Sequence, residues 1–212
     1  MNYTYEDYSL APDPSHRPMY LADVLRSLEI IPKGAKILDA GCGGGDFSIG
    51  LSEAGYDVYG SDMSQSGINT AEALGIGTFK QASVYDNLAA PFSLICFDAI
   101  VSIEVVEHLY SPKTFARRLF ESVSSGGIVI ISTPYWGYLK NIVISVSGRM
   151  DRSLTALWEG GHIKHFSKDT LGKLMVEQGF EVLGFKGCGN GWRAHVPWLW
   201  NGMLMTFRKP IL

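Results

Sequence analysis

The chain has 212 residues, 46% hydrophobic and 18% charged, with a formal net charge of −3. This fits one globular α/β domain with a sizeable core (residues 1–212, with a lead-in and helix over 1–30 and an insert over 134–165), and it offers no basic footprint for nucleic acid. Cys42, Cys96 and Cys188 form neither a zinc pattern nor a disulfide framework, the first seven residues are polar and acidic rather than leader-like, and no apolar run reaches the ~18 residues of a membrane span. The expected setting is therefore a reducing cytoplasm.

Residues 1–16 read as an irregular lead-in. Ser15 is placed to cap a helix from Pro18 to about Glu29, with Met19, Leu21, Ala22, Leu25 and Leu28 on its apolar side. An alternating series follows: strand near 35–40, helix 45–54, strand 56–61, helix 64–74 capped by Ser64, strand 77–82 and strand 97–103. Pro112 opens a helix to about 124, and Gly126-Gly127 precede a strand over 128–132. Alternation of this kind predicts a Rossmann-like, doubly wound parallel sheet whose ligands bind beyond the carboxyl ends of the strands. Residues 134–165 break the rhythm with aromatic side chains and a short apolar helix over 139–146. Ser167 then caps a helix to Gln178 closed by Gly179, and strands follow over 180–186 and 203–208.

The stretch Ile37-Leu38-Asp39-Ala40-Gly41-Cys42-Gly43-Gly44-Gly45-Asp46 joins the first strand to a helix through clustered glycines. Glycines let a backbone approach a ligand closely, and the exposed N–H groups of the helix start favour a nucleotide-like ligand. A dinucleotide fingerprint needs glycine at its sixth position, where this chain has Asp46, and no Gly-Lys-Ser/Thr follows to make a P-loop. Asp39 and Asp46 are awkward beside a pyrophosphate but suit a ligand with positive charge, such as S-adenosylmethionine with its sulfonium and amino groups.

The later strand ends agree. Asp62, 21 residues after Gly41, ends the second strand, where an acid accepts both ribose hydroxyls. Met63 is placed for the adenine face, and Ser83 after the third strand for the adenine edge, with Val84 beside it. The fourth strand carries Ser102 and Ile103 into Glu104-Val105-Val106-Glu107-His108.

With these motifs, and with His162-Ile163-Lys164-His165-Phe166-Ser167 further on, the chain resembles class I S-adenosylmethionine-dependent methyltransferases. It is most similar to small bacterial ones of the ubiquinone-biosynthesis O-methyltransferase type. The resemblance spans about residues 35–185, with one departure: many relatives carry Asp where this chain has Ser83. It implies an antiparallel last strand and an insert over the active site. Asp39, Gly41, Gly43 and the Cys42 backbone would shape the methionine end of the cofactor site. Asp62 would hold the ribose, Met63, Ser83 and Val84 would flank the adenine, and Ser102 and Ile103 would pass under the methionine moiety.

A helix starting near Glu104 would set Glu104, Glu107 and His108 on one face. They read either as a base and metal ligands or as groups that hold backbone donors. Some relatives bind a divalent ion through a similar set plus a later His, which would be His162; the residues alone assign no metal. His108, Glu104 and His162 are the catalytic candidates, and His165 is expected to face away from His162. Trp136, Tyr138, Trp158, Trp192, Trp198 and Trp200 either line an acceptor pocket or fill core under the insert, and Trp198 with Trp200 is placed to form an exposed patch. The expected reaction is methyl transfer to a small-molecule or lipid-linked acceptor, at oxygen by resemblance. The alternatives are a nicotinamide-dependent oxidoreductase and a non-catalytic cofactor-binding subunit.

Overall fold

A computed structural model describes residues 16–154, 161–189, 196 and 200–211. In chain order these form α1 (His16–Ser27), β1 (Lys36–Ala40), α2 (Asp46–Glu53), β2 (Asp57–Asp62), α3 (Gln65–Ala73), β3 (Thr78–Gln81) and β4 (Phe97–Ile103). Then come α4 (Pro112–Ser122), β5 (Val123–Pro134), α5 (Tyr138–Val146), α6 (Met150–Leu154), α7 (Lys168–Val176), β6 (Glu181–Cys188) and β7 (Gly202–Arg208). The expected capping residue Ser15 lies outside the described residues, as do Trp158, Trp192 and Trp198.

The seven strands form one sheet in the order β3-β2-β1-β4-β5-β7-β6. The pairs from β3 through β5 are parallel, and β7 runs antiparallel between β5 and β6. The alternation of apolar side chains divides the core between the two faces of the sheet. Leu38, Ile100 and Val129 pack with Phe115, Ala116 and Leu119 of α4 and Leu171 and Met175 of α7. Ile37, Ala99, Val101 and Ile128 pack with Tyr20 and Val24 of α1, with Leu28 just beyond it, and with Phe47 and Leu51 of α2. Burying one such aliphatic side chain contributes about 1.5–3 kcal/mol. After β3 the chain crosses to the far side of β1 and returns as β4. This reversal opens a crevice beyond the carboxyl ends of β1 and β4, where ligands of doubly wound sheets bind.

The local signals hold at most element ends. The Ser64 hydroxyl accepts from the Gly67 amide and caps α3. Ser167 and Thr170 exchange side chain-to-backbone bonds in a capping box before α7. Two expectations are corrected. β5 does not start after the double glycine but at Val123, and it passes through Gly126 (φ +76°) with a break in register against β4 between Phe97 and Ala99. The left-handed Gly126 turns its amide to the Lys209 carbonyl, and Lys209 donates back to Gly127, so the glycines bond to the chain leaving β7. Trp200 is not part of an exposed patch: it is half-buried, with its ring 5.5 Å from Tyr135 and 5.8 Å from Phe185. No helix among the described residues is long and apolar enough to cross a membrane.

Candidate functional site

The loop after β1 owes its shape to positive φ at Gly41 (84°), Gly43 (52°) and Gly45 (82°). At Gly41 a Cβ would also run into Val105, because the turn leaving β4 lies directly on the loop. The Gly41 and Cys42 amides both donate to the Ser61 carbonyl, at 2.7 and 3.0 Å, which ties the loop to the end of β2. Asp62 extends that tie. One carboxylate oxygen accepts from the Gly43 amide at 2.9 Å and the other from the Ser64 amide at 2.8 Å. Burial raises its pKa, and these two amides oppose the rise. An sp² carboxylate has lone pairs to spare after two such bonds.

Asp39 is buried beside this loop and accepts from the Ser48 hydroxyl of α2 at 2.7 Å. Desolvation pushes its pKa up to about 7; the Ser48 bond opposes the shift and the nearby Asp62 adds to it. The Ser102 hydroxyl is buried and donates to the Ala40 carbonyl at 2.9 Å, which joins the ends of β4 and β1. The Met63 side chain is 54% exposed, free to meet a ligand face. The Ser83 oxygen accepts from the Tyr85 amide at 3.2 Å and shapes the turn after β3, with Val84 buried behind it. Cys42 is buried, and its thiol is pushed far above the usual range by desolvation, which keeps it neutral. Ile103, at the end of β4, is half-buried.

Beyond Ile103 the expected helix does not start at Glu104. This residue has φ +55°, a left-handed conformation rare outside glycine, and only a 3₁₀ turn over Val106–His108 follows. The three groups therefore do not share one helical face. The Glu104 carboxylate accepts from the Tyr20 hydroxyl at 2.7 Å and the Ser132 hydroxyl at 3.0 Å, while the Glu104 amide donates to Ser132 at 3.0 Å. Glu107, His108 and His162 gather instead, with one ligating atom from each lying within 4.8 Å of the others. The His108 and His162 rings meet edge to face at 5.0 Å. The Glu107 carbonyl brings His162 there by accepting from the Ile163 and Lys164 amides, at 3.0 and 2.9 Å.

The Glu107 side chain is fully buried, and neither of its oxygens has a hydrogen-bond partner among the described residues. Desolvation, and then the charge of Glu104, raise its pKa well above the carboxylate range. Thr133, whose own buried hydroxyl is also unpartnered, is near enough to ease that charge. His165 faces elsewhere: its ring lies 4.4 Å from Trp136, on a cavity of about 400 Å³ lined also by Asn141, Met150, Leu154 and Thr170. Sequence reasoning missed Tyr20, Ser132 and Thr133, none of which stands in a motif.

This glycine loop, clamped by an acid at the end of β2 and set at the crossover of a seven-stranded sheet, defines a class I S-adenosylmethionine-dependent methyltransferase. The family described as "Methyltransferase domain" matches residues 15–184, and the chain belongs to it. It is 36% identical over 105 residues to the ubiquinone biosynthesis O-methyltransferase of Azorhizobium caulinodans, a match covering 48% of this chain and 41% of that enzyme. The enzyme of the same name from Bordetella avium is 27% identical over 190 residues, covering 83% of this chain and 76% of the relative. In fold the chain is similar to magnesium protoporphyrin IX methyltransferase from Synechocystis, solved with bound SAH (TM-score 0.66, 19% identity, covering 89% of this chain and 81% of that one).

Proposed function

We propose that this chain transfers the methyl group of S-adenosylmethionine to an oxygen of a small-molecule or lipid-linked acceptor. The observation that carries the reading is the Glu107–His108–His162 cluster, two residues beyond the Val105 that lies on Gly41. The donor is already activated, so the reaction is an in-line displacement: the acceptor oxygen bonds to carbon, the carbon–sulfur bond breaks, and sulfur leaves as a neutral thioether. Holding oxygen, methyl and sulfur in line is worth up to ~7–11 kcal/mol of the barrier. Asp39 and the Gly41–Gly43 backbone would hold the methionine end, Ser102 and Ile103 would run beneath it, and Asp62 would accept from the ribose hydroxyls. Met63, Ser83 and Val84 would enclose the adenine. An alcohol or phenol must also lose its proton, and His108 or His162 is the base that would take it.

The same three side chains suit a divalent cation. A carboxylate and two imidazoles are ordinary donors for one, and Glu107 is a buried carboxylate with both oxygens unpartnered. When bound, the cation would lower the pKa of the acceptor hydroxyl. Glu104, held by Tyr20 and Ser132, stands outside the cluster as it is arranged here.

The names of the relatives favour a phenolic, ubiquinone-like acceptor. The test is product mass analysis with labelled S-adenosylmethionine over a panel of phenols, catechols and polyprenylated phenols, with Mg²⁺, Mn²⁺, Zn²⁺ or EDTA. Oxygen-methylated product that disappears in both His108→Ala and His162→Ala is the expected result. Methylation only at nitrogen or carbon, or full activity in both variants, overturns the assignment.

A further inference from the structure

The N-terminal helix α1 reaches the cofactor crevice through the Tyr20 hydroxyl. Tyr20 is fully buried, and its O–H donates to Glu104, 84 residues away, at 2.7 Å. The helix is let in this far by two glycines. A Cβ at Gly202 of β7 would occupy the place of the Tyr20 hydroxyl, and one at Gly50 of α2 would strike Leu21. The residue that Tyr20 grips is, with Ser93, one of two non-glycine residues with a left-handed backbone among the described residues, φ +55° at Glu104. Such a conformation persists only where its surroundings over-determine it. Here Ser132 holds Glu104 from β5, through both amide and carboxylate, and Tyr20 holds it from α1. What this fixes is the turn that places Val105 against Gly41, one wall of the glycine loop.

We propose that Tyr20 is a positioning residue of the cofactor site: by holding Glu104 it fixes the Glu104–Val105 turn against the glycine loop, so that seating of α1 and binding of the cofactor are coupled. Coupling between sites is reciprocal. The cofactor product therefore protects α1, which need not touch it, and loosening Tyr20 weakens the product's binding. The inference rests on the S-adenosylmethionine reading above, and the experiment separates the two. S-adenosylhomocysteine binding is measured by calorimetry on the wild type, Tyr20→Phe, Glu104→Gln and the double variant. Tyr56→Phe is the control, because the Tyr56 hydroxyl donates to the Leu28 carbonyl just beyond α1 and does not contact Glu104.

Failure of the wild type to bind overturns the cofactor reading, and this proposal with it. With the wild type binding, Tyr20→Phe is expected to raise Kd about fivefold, the loss of one hydroxyl bond to a carboxylate. Tyr56→Phe is expected to lower the melting temperature while leaving Kd unchanged. The double variant is expected to bind no more weakly than the weaker single variant. Hydrogen exchange on the wild type needs no variant: S-adenosylhomocysteine is expected to slow exchange over residues 18–27 as well as over the glycine loop. A Kd for Tyr20→Phe within threefold of the wild type, or α1 exchange that the product does not change, overturns the proposal and leaves Tyr20 a packing residue.

Discussion

A carboxylate sealed beside the glycine loop ionises reluctantly, and this sets how the site responds to pH. Asp39 is raised to about 7 chiefly by desolvation. Between its unfolded pKa near 4 and about 7, the folded protein holds a proton that the unfolded chain has lost. This group's contribution to stability therefore falls as pH rises through that window and is level above it. Ligand binding has the opposite sign. An ammonium group seated beside Asp39, as proposed for the methionine end of the ligand, would favour the ionised form, so that binding below about pH 7 would have to displace the proton. Affinity for S-adenosylhomocysteine is expected to weaken by up to about tenfold for each pH unit below 7 and to flatten above it. Calorimetry from pH 5.5 to 7.5 reads the slope, which Asp39→Asn is expected to abolish. Asp62 acts in another way, through two backbone amides it holds in place. Two bonds to a charged acceptor are worth about 3 kcal/mol or more, so Asp62→Ala is expected to weaken the same ligand at least ~100-fold. An intact far-UV spectrum with unchanged affinity would show that the loop holds its shape without the clamp.

At the scale of elements, stability and ligand binding separate. The Ser167–Thr170 capping box sits at the start of α7, and its bonds run among Ser167 and Thr170 themselves rather than to the glycine loop. Ser167→Ala is expected to remove about 1 kcal/mol of stability, seen as a lower midpoint in urea with S-adenosylhomocysteine affinity unchanged. Elements whose ends carry their own chemistry were legible in the sequence. The Ser64 cap, Pro112 at the head of α4 and the glycines between β1 and α2 all mark boundaries that the fold keeps. The Asp62 clamp was legible in place, though not in its partners, because which backbone amides face a carboxylate depends on how the loop closes. The turn after β4 was not legible. The spacing of Glu104, Glu107 and His108 suits a helix, but Tyr20 and Ser132 hold Glu104 left-handed from 84 and 28 residues away. No window around residue 104 contains that information. The same reason hides the pairing of Gly126-Gly127 with Lys209, which extends β5 back to Val123.

For the whole molecule, the crossover in strand order decides how far a ligand's effect spreads. Loops from β1, β2, β3 and β4 meet at one edge of the sheet, and their mutual ties run through Ser61, Asp62, Ser102 and Val105 and through the small apolar cluster of Cys42 with Ile68, Ala71 and Phe79. A nucleoside lying across those loops binds only when all are in place, so it stabilises the native state of the whole sheet rather than one segment. At 100 times its Kd such a ligand adds about 2.7 kcal/mol. For a chain of this size, 1 kcal/mol moves the melting temperature by about 2–4 °C. S-adenosylhomocysteine at that concentration is therefore expected to raise the melting temperature by roughly 5–11 °C in a single cooperative transition. NAD at equal concentration is expected to leave it unmoved, because Asp46 stands where the dinucleotide fingerprint requires glycine. A shift with NAD and none with S-adenosylhomocysteine would mean that the charge of Asp39 and Asp46 does not select the ligand. A biphasic melt with only one phase moved would mean that the crossover does not tie the strand ends into one cooperative unit.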